Sequence, residues 1–206
     1  MRKCYLVFLS SLITCFIAAQ NFSILLPDSL GKKPLDGRLL LMFSTNPSDE
    51  PRFQIADGPG TQQIFGTDVE NWQPGTSKNI SASAFGYPVE SMMYIPAGEY
   101  TVQVLLHVYE TVHRKDGHII KLPMDRGEGQ HWNSAPGNFY SVPVKIKFNP
   151  KVKILHTISL TKVIPPIKEP EDSKYVKHIK IQSKLLSEFW GRPMYLGAHV
   201  LLPEGW

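Results

Sequence analysis

His113, Asp116, His118, Asp125, Glu128, His131 and Trp132 fall within one polar stretch, with His107 just before it. Imidazole and carboxylate groups are ligands for zinc or a harder cation. A tryptophan ring offers an apolar face to a sugar or an aromatic ligand, although an isolated one more often packs. The spacing matches no recognised ligand pattern. A polar loop whose side chains bond to its own backbone would have the same composition. Glycan binding, metal binding and self-bonding are therefore three readings of the loop over residues 113–132.

Two alternating segments frame that loop. In Glu99–Tyr109, Tyr100, Val102, Val104, Leu106 and Val108 share one parity, which predicts a strand with one face in a core. Val144–Phe148 repeats the pattern and is stopped by Asn149 and Pro150. Asp116-Gly117 is a hairpin-type turn signal between them. Any chemistry in the chain should sit where these strands hold the loop.

Local catalytic motifs are missing. The nearest approach to a nucleophile elbow, Gly75 to Asn79 around Ser77, ends in the wrong residue. Gly58-Pro59-Gly60 does not extend to a dinucleotide fingerprint, because Gln63 stands where the third glycine belongs. No His-Glu-x-x-His is present. The reading accordingly assigns no catalytic residue, no metal ligand set and no cofactor.

The 206 residues include 17 prolines and 15 glycines, scattered between short alternating runs. That punctuation predicts many turns and short strands. The first nineteen residues read as a signal peptide: Arg2 and Lys3, an apolar run from Tyr5, then Ala18-Ala19 as a small-residue cleavage site. The run is too short for a spanning helix, so no stable membrane anchor is expected after cleavage. Leu12 to Cys15 matches a lipoprotein box only loosely, because Thr14 is bulky. Both cysteines, Cys4 and Cys15, would leave with the peptide, and with them any disulfide or thiolate chemistry. Loss of Arg2 and Lys3 lowers the formal charge from +4 to +2, which is not the balance of a nucleic-acid-binding protein.

Residues 20–35 read as an N-terminal linker, and residues 36–162 as an all-β domain, an immunoglobulin-like β-sandwich. Strands are expected at 38–43, 52–56, 63–69, 88–95 and 152–160, with a loop over 72–83. The proline-rich segment 163–174 is a second linker. Beyond it come a strand at 175–181, a short helix capped by Ser183 and stopped by Gly191, and an apolar strand at 194–202. That last strand carries apolar residues on both parities, as for a strand covered on both sides.

Gly98–Gln103, Asp125–Gln130, Pro136–Asn138 and above all Phe189–Trp206 (FWGRPMYLGAHVLLPEGW) carry a resemblance. From about Gly37 onward the chain resembles the N-terminal part of secreted bacterial esterases. In these a β-rich domain precedes an α/β-hydrolase domain of the enterochelin-esterase-like type. The resemblance implies that residues 175–206 open the hydrolase domain, whose remainder is missing and would be this chain's partner. It also implies acyl transfer through a serine and an oxyanion hole in that missing part. The family's serine, acid and histidine have no matching position here. The implied location is periplasmic or extracellular. The rival reading is a free-standing secreted module that uses the 113–132 loop.

Overall fold

The computed structural model describes residues 20–205. The signal-peptide reading, with Cys4 and Cys15, lies outside the described residues.

Thirteen strands and one α-helix order the described chain. They are β1 (Asn21–Leu26), β2 (Leu35–Ser44), β3 (Gln63–Trp72), β4 (Thr76–Ile80), β5 (Phe85–Tyr87), β6 (Gly98–His113) and β7 (Ile119–Leu122). There follow β8 (Phe139–Tyr140), β9 (Val144–Phe148), β10 (Leu155–Ser159), β11 (Lys162–Val163), β12 (Val176–Gln182), α1 (Lys184–Trp190) and β13 (Tyr195–Leu201). The protein is mostly β, as its punctuation predicts.

The strands form three sheets. In the smallest, β12 pairs antiparallel with β13. A three-stranded sheet runs β10–β1–β4, with β1 parallel to β10 and antiparallel to β4. The largest runs β11–β8–β6–β2–β3–β5, with β7 and β9 also paired to β6. The long strand β6 thus holds three others besides β7: β2 along one edge, β8 and β9 along the other.

The three-stranded and largest sheets bury one apolar cluster between them. Phe22, Ile24 and Leu26 of β1 meet Leu39, Leu41 and Phe43 of β2 and Val102, Val104 and Leu106 of β6. The period-two pattern of each strand explains which residues enter. Phe43 is the hub. Its ring lies 5.2 to 5.8 Å from those of Phe22, Phe65, Tyr100 and Phe148, each edge-on. A smaller cluster covers the other face of β2 and β6: Leu40, Met42, Leu105 and Ile164, with Trp132 and Tyr140 against it. That second cover explains why residues 38–43 are apolar without alternation.

Several expectations change. Residues 20–35 are not simply a linker, because Asn21–Leu26 forms β1 and buries Phe22, Ile24 and Leu26 completely or nearly so. Residues 76–80, expected in a loop, form β4; only Ile80 of that strand is buried, so the sequence carried no alternation. Pro51–Phe53 is a 3-10 turn rather than a strand, held by the Arg52 N–H donating to the Gln103 side chain at 3.1 Å. Met92–Tyr94 is likewise a 3-10 turn, capped by Ser91, whose Oγ accepts from the Met93 N–H. The proline-rich segment begins later than residue 163, since Lys162–Val163 pairs with β8 and Ile164 is buried.

Replacing Phe43 by Ala removes the hub of the ring cluster. We expect a loss of about 3–5 kcal/mol, read as a lower denaturant midpoint without loss of the cooperative transition.

Candidate functional site

The β6–β7 hairpin and the loop after it place the candidate residues. Its turn forms where Asp116-Gly117 predicts, with Gly117 at a φ of 87° and its N–H bonded to the Arg114 carbonyl. Asp116 sits between the Arg114 guanidinium and His118, whose ring and backbone nitrogens each lie 3.2 Å from its Oδ1. Its partial desolvation favours the neutral acid, but the His118 bonds and the Arg114 charge prevail and hold it below the usual carboxylate range. His113 ends β6.

Asp125 and Glu128 bond their own loop. Asp125 Oδ1 accepts from the N–H groups of Gly127 at 2.8 Å and Gly129 at 3.3 Å, and Glu128 Oε2 accepts from the Arg126 N–H at 2.7 Å. The His131 carbonyl accepts from the Ser134 N–H. Trp132 packs on the smaller cluster, and its carbonyl accepts from buried Asn138. The structure therefore divides the seven candidates between a hairpin turn, a self-bonded loop and a packing site. Among the described residues no group of three or more His, Cys, Asp or Glu side chains is gathered as a metal would require.

The sequence reading missed a cluster a few residues away. Glu110 on β6 accepts from Arg126 through one oxygen and from Arg192 through the other, the latter at 2.6 Å. Arg192 follows α1, so one carboxylate ties the C-terminal hairpin to the 122–130 loop. Arg114 lies over the rings of Phe189 and Trp190, 4.9 and 5.9 Å from their centres. The Lys115 N–H donates to the Phe189 carbonyl at 2.8 Å. Gly191 completes the dock. It lies in the left-handed region at φ 62°, and a Cβ there would meet the His113 carbonyl oxygen at 2.5 Å. No local signal links Glu110 to Arg192, since the two are 82 positions apart.

Between these elements lies a cleft of about 980 Å³. The 122–130 loop, residues 167–170 of the proline-rich segment and the face of β12 and β13 line it. Met124, Trp190 and Tyr195 supply apolar surface; Asp125, His178 and His199 supply polar groups. The volume suits a small molecule. Of the cations nearby, Arg126 and Arg192 share the single Glu110 carboxylate, and Lys180 pairs with Glu169 at 2.7 Å.

Comparison with known protein families, with curated proteins and with solved structures gave no match. Among the described residues no helix is long and apolar enough to cross a membrane.

Two other histidines respond to burial. His107 is held below the ordinary imidazole value of 6.5 by burial, with the Glu128 charge opposing. His156 is lowered by burial alone; it stacks on Phe22 and its Nε2 lies 2.9 Å from Gln20 Oε1. Gln20 Nε2 donates to the Asn149 carbonyl, so Oε1 is left to accept from an Nε2–H of His156. With folded values below 6.5, the unfolded chain binds more protons under that pH. Stability is therefore fully present above the ordinary imidazole value and falls as pH drops through the folded ones. Urea midpoints should decrease between about pH 7.5 and 5.5. The decrease should be smaller in a His156→Gln variant.

Proposed function

We propose that this chain is the non-catalytic N-terminal portion of a secreted serine esterase. In this reading the β-rich part is an immunoglobulin-like sandwich, and residues 175–206 begin an α/β-hydrolase domain. The observation that carries the reading is the β12–β13 hairpin. Leu201 is 77% exposed, Leu196 56% and Tyr195 52%, and Ile179 and Ile181 are exposed on the neighbouring strand. Alternate residues of a strand face opposite ways, so both faces of this hairpin carry uncovered apolar side chains. Burying each would be worth roughly 1.5–3 kcal/mol. A two-stranded sheet of this kind is marginal by itself, and further strands of a hydrolase sheet would extend it while helices cover the face that bears Leu196, Ile179 and Ile181.

The expectation that 194–202 is buried on both faces is not met by the sandwich. The dock to the β-rich part runs instead through the end of α1 and Arg192. That division supports a boundary in the proline-rich segment: the hairpin is attached at one end and open over its faces. The segment most like the esterases, Phe189–Trp206, spans both the dock and the open strand. Export would place the protein in the periplasm or outside the cell.

The β-rich part then positions the hydrolase through the Glu110–Arg192 contact, and the acyl transfer belongs to a serine outside this chain. Reading the gene past Trp206 tests this directly. An open frame with a Gly-x-Ser-x-Gly elbow is expected, and an immediate stop codon would overturn the proposal. The chain itself should turn over no p-nitrophenyl acetate above a denatured control.

A truncation tests the boundary. Ending the chain at Asp172 should leave a cooperative thermal transition and raise solubility. Loss of that transition would make the hairpin part of the β-rich core.

A further inference from the structure

His178 and His199 stand directly opposite each other on β12 and β13. Their Nδ1 atoms approach to 2.6 Å, with the rings nearly perpendicular at 85°. Both residues line the cleft. Among the described residues neither ring has a carboxylate or carbonyl partner; each Nδ1 is paired there with the other alone. In the neutral pair one Nδ1–H donates and the other nitrogen accepts. Two imidazole nitrogens held this close can also supply two of the four ligands of a tetrahedral metal ion.

We infer that His178 and His199 chelate one divalent transition-metal ion of the borderline class, Zn²⁺, Ni²⁺ or Cu²⁺. Imidazole suits all three, and the general order of affinity places Cu²⁺ first. At the usual zinc–nitrogen bond length two ligands in a tetrahedral site stand about 3.3 Å apart. Opening the present 2.6 Å separation needs small rotations of two partly exposed rings, and the ring that donates moves its proton from Nδ1 to its own Nε2, which frees both Nδ1 lone pairs for the ion. The hairpin register fixes both backbones, so only the two rings have to adjust to the ion.

The surroundings allow it. On the same face the neighbouring cross-strand pairs are Val176 with Leu201 and Lys180 with Gly197. A side chain at Gly197 would meet nothing within 4 Å, which leaves room for water on the ion. The Lys180 ammonium is held by Glu169 at 2.7 Å, so its charge is compensated. Asp172 accepts from the His178 backbone N–H at 2.9 Å and adds negative charge on that side, shared with Lys177. Since no third protein ligand converges among the described residues, the other positions go to water and face the cleft. The inference rests on the hairpin geometry and stands apart from the esterase reading.

The test is titration of the full chain with ZnCl₂ and NiCl₂ by calorimetry, together with imidazole ¹H–¹⁵N spectra. One ion per chain should bind at this site, and Zn²⁺ should shift the nitrogens of His178 and His199 first. His178→Ala or His199→Ala should weaken that binding by at least about tenfold, the least that even an outer-shell loss costs a metal site. His118→Ala should leave it unchanged. Cys4 and Cys15 are common to all chains compared, so any thiol binding cancels. His178→Gln, which retains a hydrogen-bonding side chain, separates ligand loss from loss of the hairpin and should weaken binding equally. The inference is overturned by an absence of binding, by a weakening smaller than tenfold, or by first shifts at other histidines.

Discussion

The antiparallel pairing of β2 with β6 is the constraint on which the rest of the molecule depends. It runs through nine consecutive residue pairs, from Asp36 opposite Tyr109 to Ser44 opposite Thr101. Every other strand of the largest sheet is joined to this pair directly, except the outer strands β5 and β11, which are joined through one neighbour each. The close fit is enforced at Gly37, where a Cβ would come within 2.2 Å of the His107 carbonyl oxygen. Any larger residue would push the strands apart at the point where β6 begins its extension toward the hairpin.

Burial on both sides of that pair creates a polar problem with a local solution. Gln103 is fully buried among the apolar residues of β6. Its Nε2 donates to Glu50 at 2.7 Å and to the Ser141 carbonyl at 3.0 Å, and its Oε1 accepts from the Arg52 N–H. Burial would raise the Glu50 carboxyl, but bonds from Gln103 and Arg52 and nearby positive charge leave it lowered overall. Arg52 is itself held between the rings of Phe53 and Tyr140. A buried amide without such partners would cost more than the contact is worth. The loop at Pro51–Phe53 and the residue that follows β8, Ser141, are thereby fixed to the same side chain.

The C-terminal hairpin is held differently. Its attachment combines a charged contact at Glu110, ring contacts at Arg114 and a glycine that lets backbones touch at His113. None of these covers the faces of β12 and β13. The contrast between a closed β-rich core and an open apolar hairpin underlies the functional reading. The paired histidines lie on the side of the hairpin that looks into the cleft.

The sequence by itself determined the elements whose signals are local. Alternation marked β6 and β9, Asp116-Gly117 marked the hairpin turn, and Ser183 and Gly191 marked the limits of α1. The Ser183 Oγ does accept from Leu186 and Gly191 is left-handed, because caps depend only on neighbouring backbone. Tertiary structure decided what depends on distant partners. β4 is a strand because β1 lies beside it, and residues 51–53 turn because Gln103 reaches them. The polar loop offered seven candidate ligands to a reader of the sequence, yet Asp125 and Glu128 are engaged by their own backbone and Trp132 by packing. Glu110 with Arg192, and His178 with His199, were invisible for the opposite reason. Each pair joins residues separated along the chain, and only strand register and helix docking bring their side chains within bonding distance.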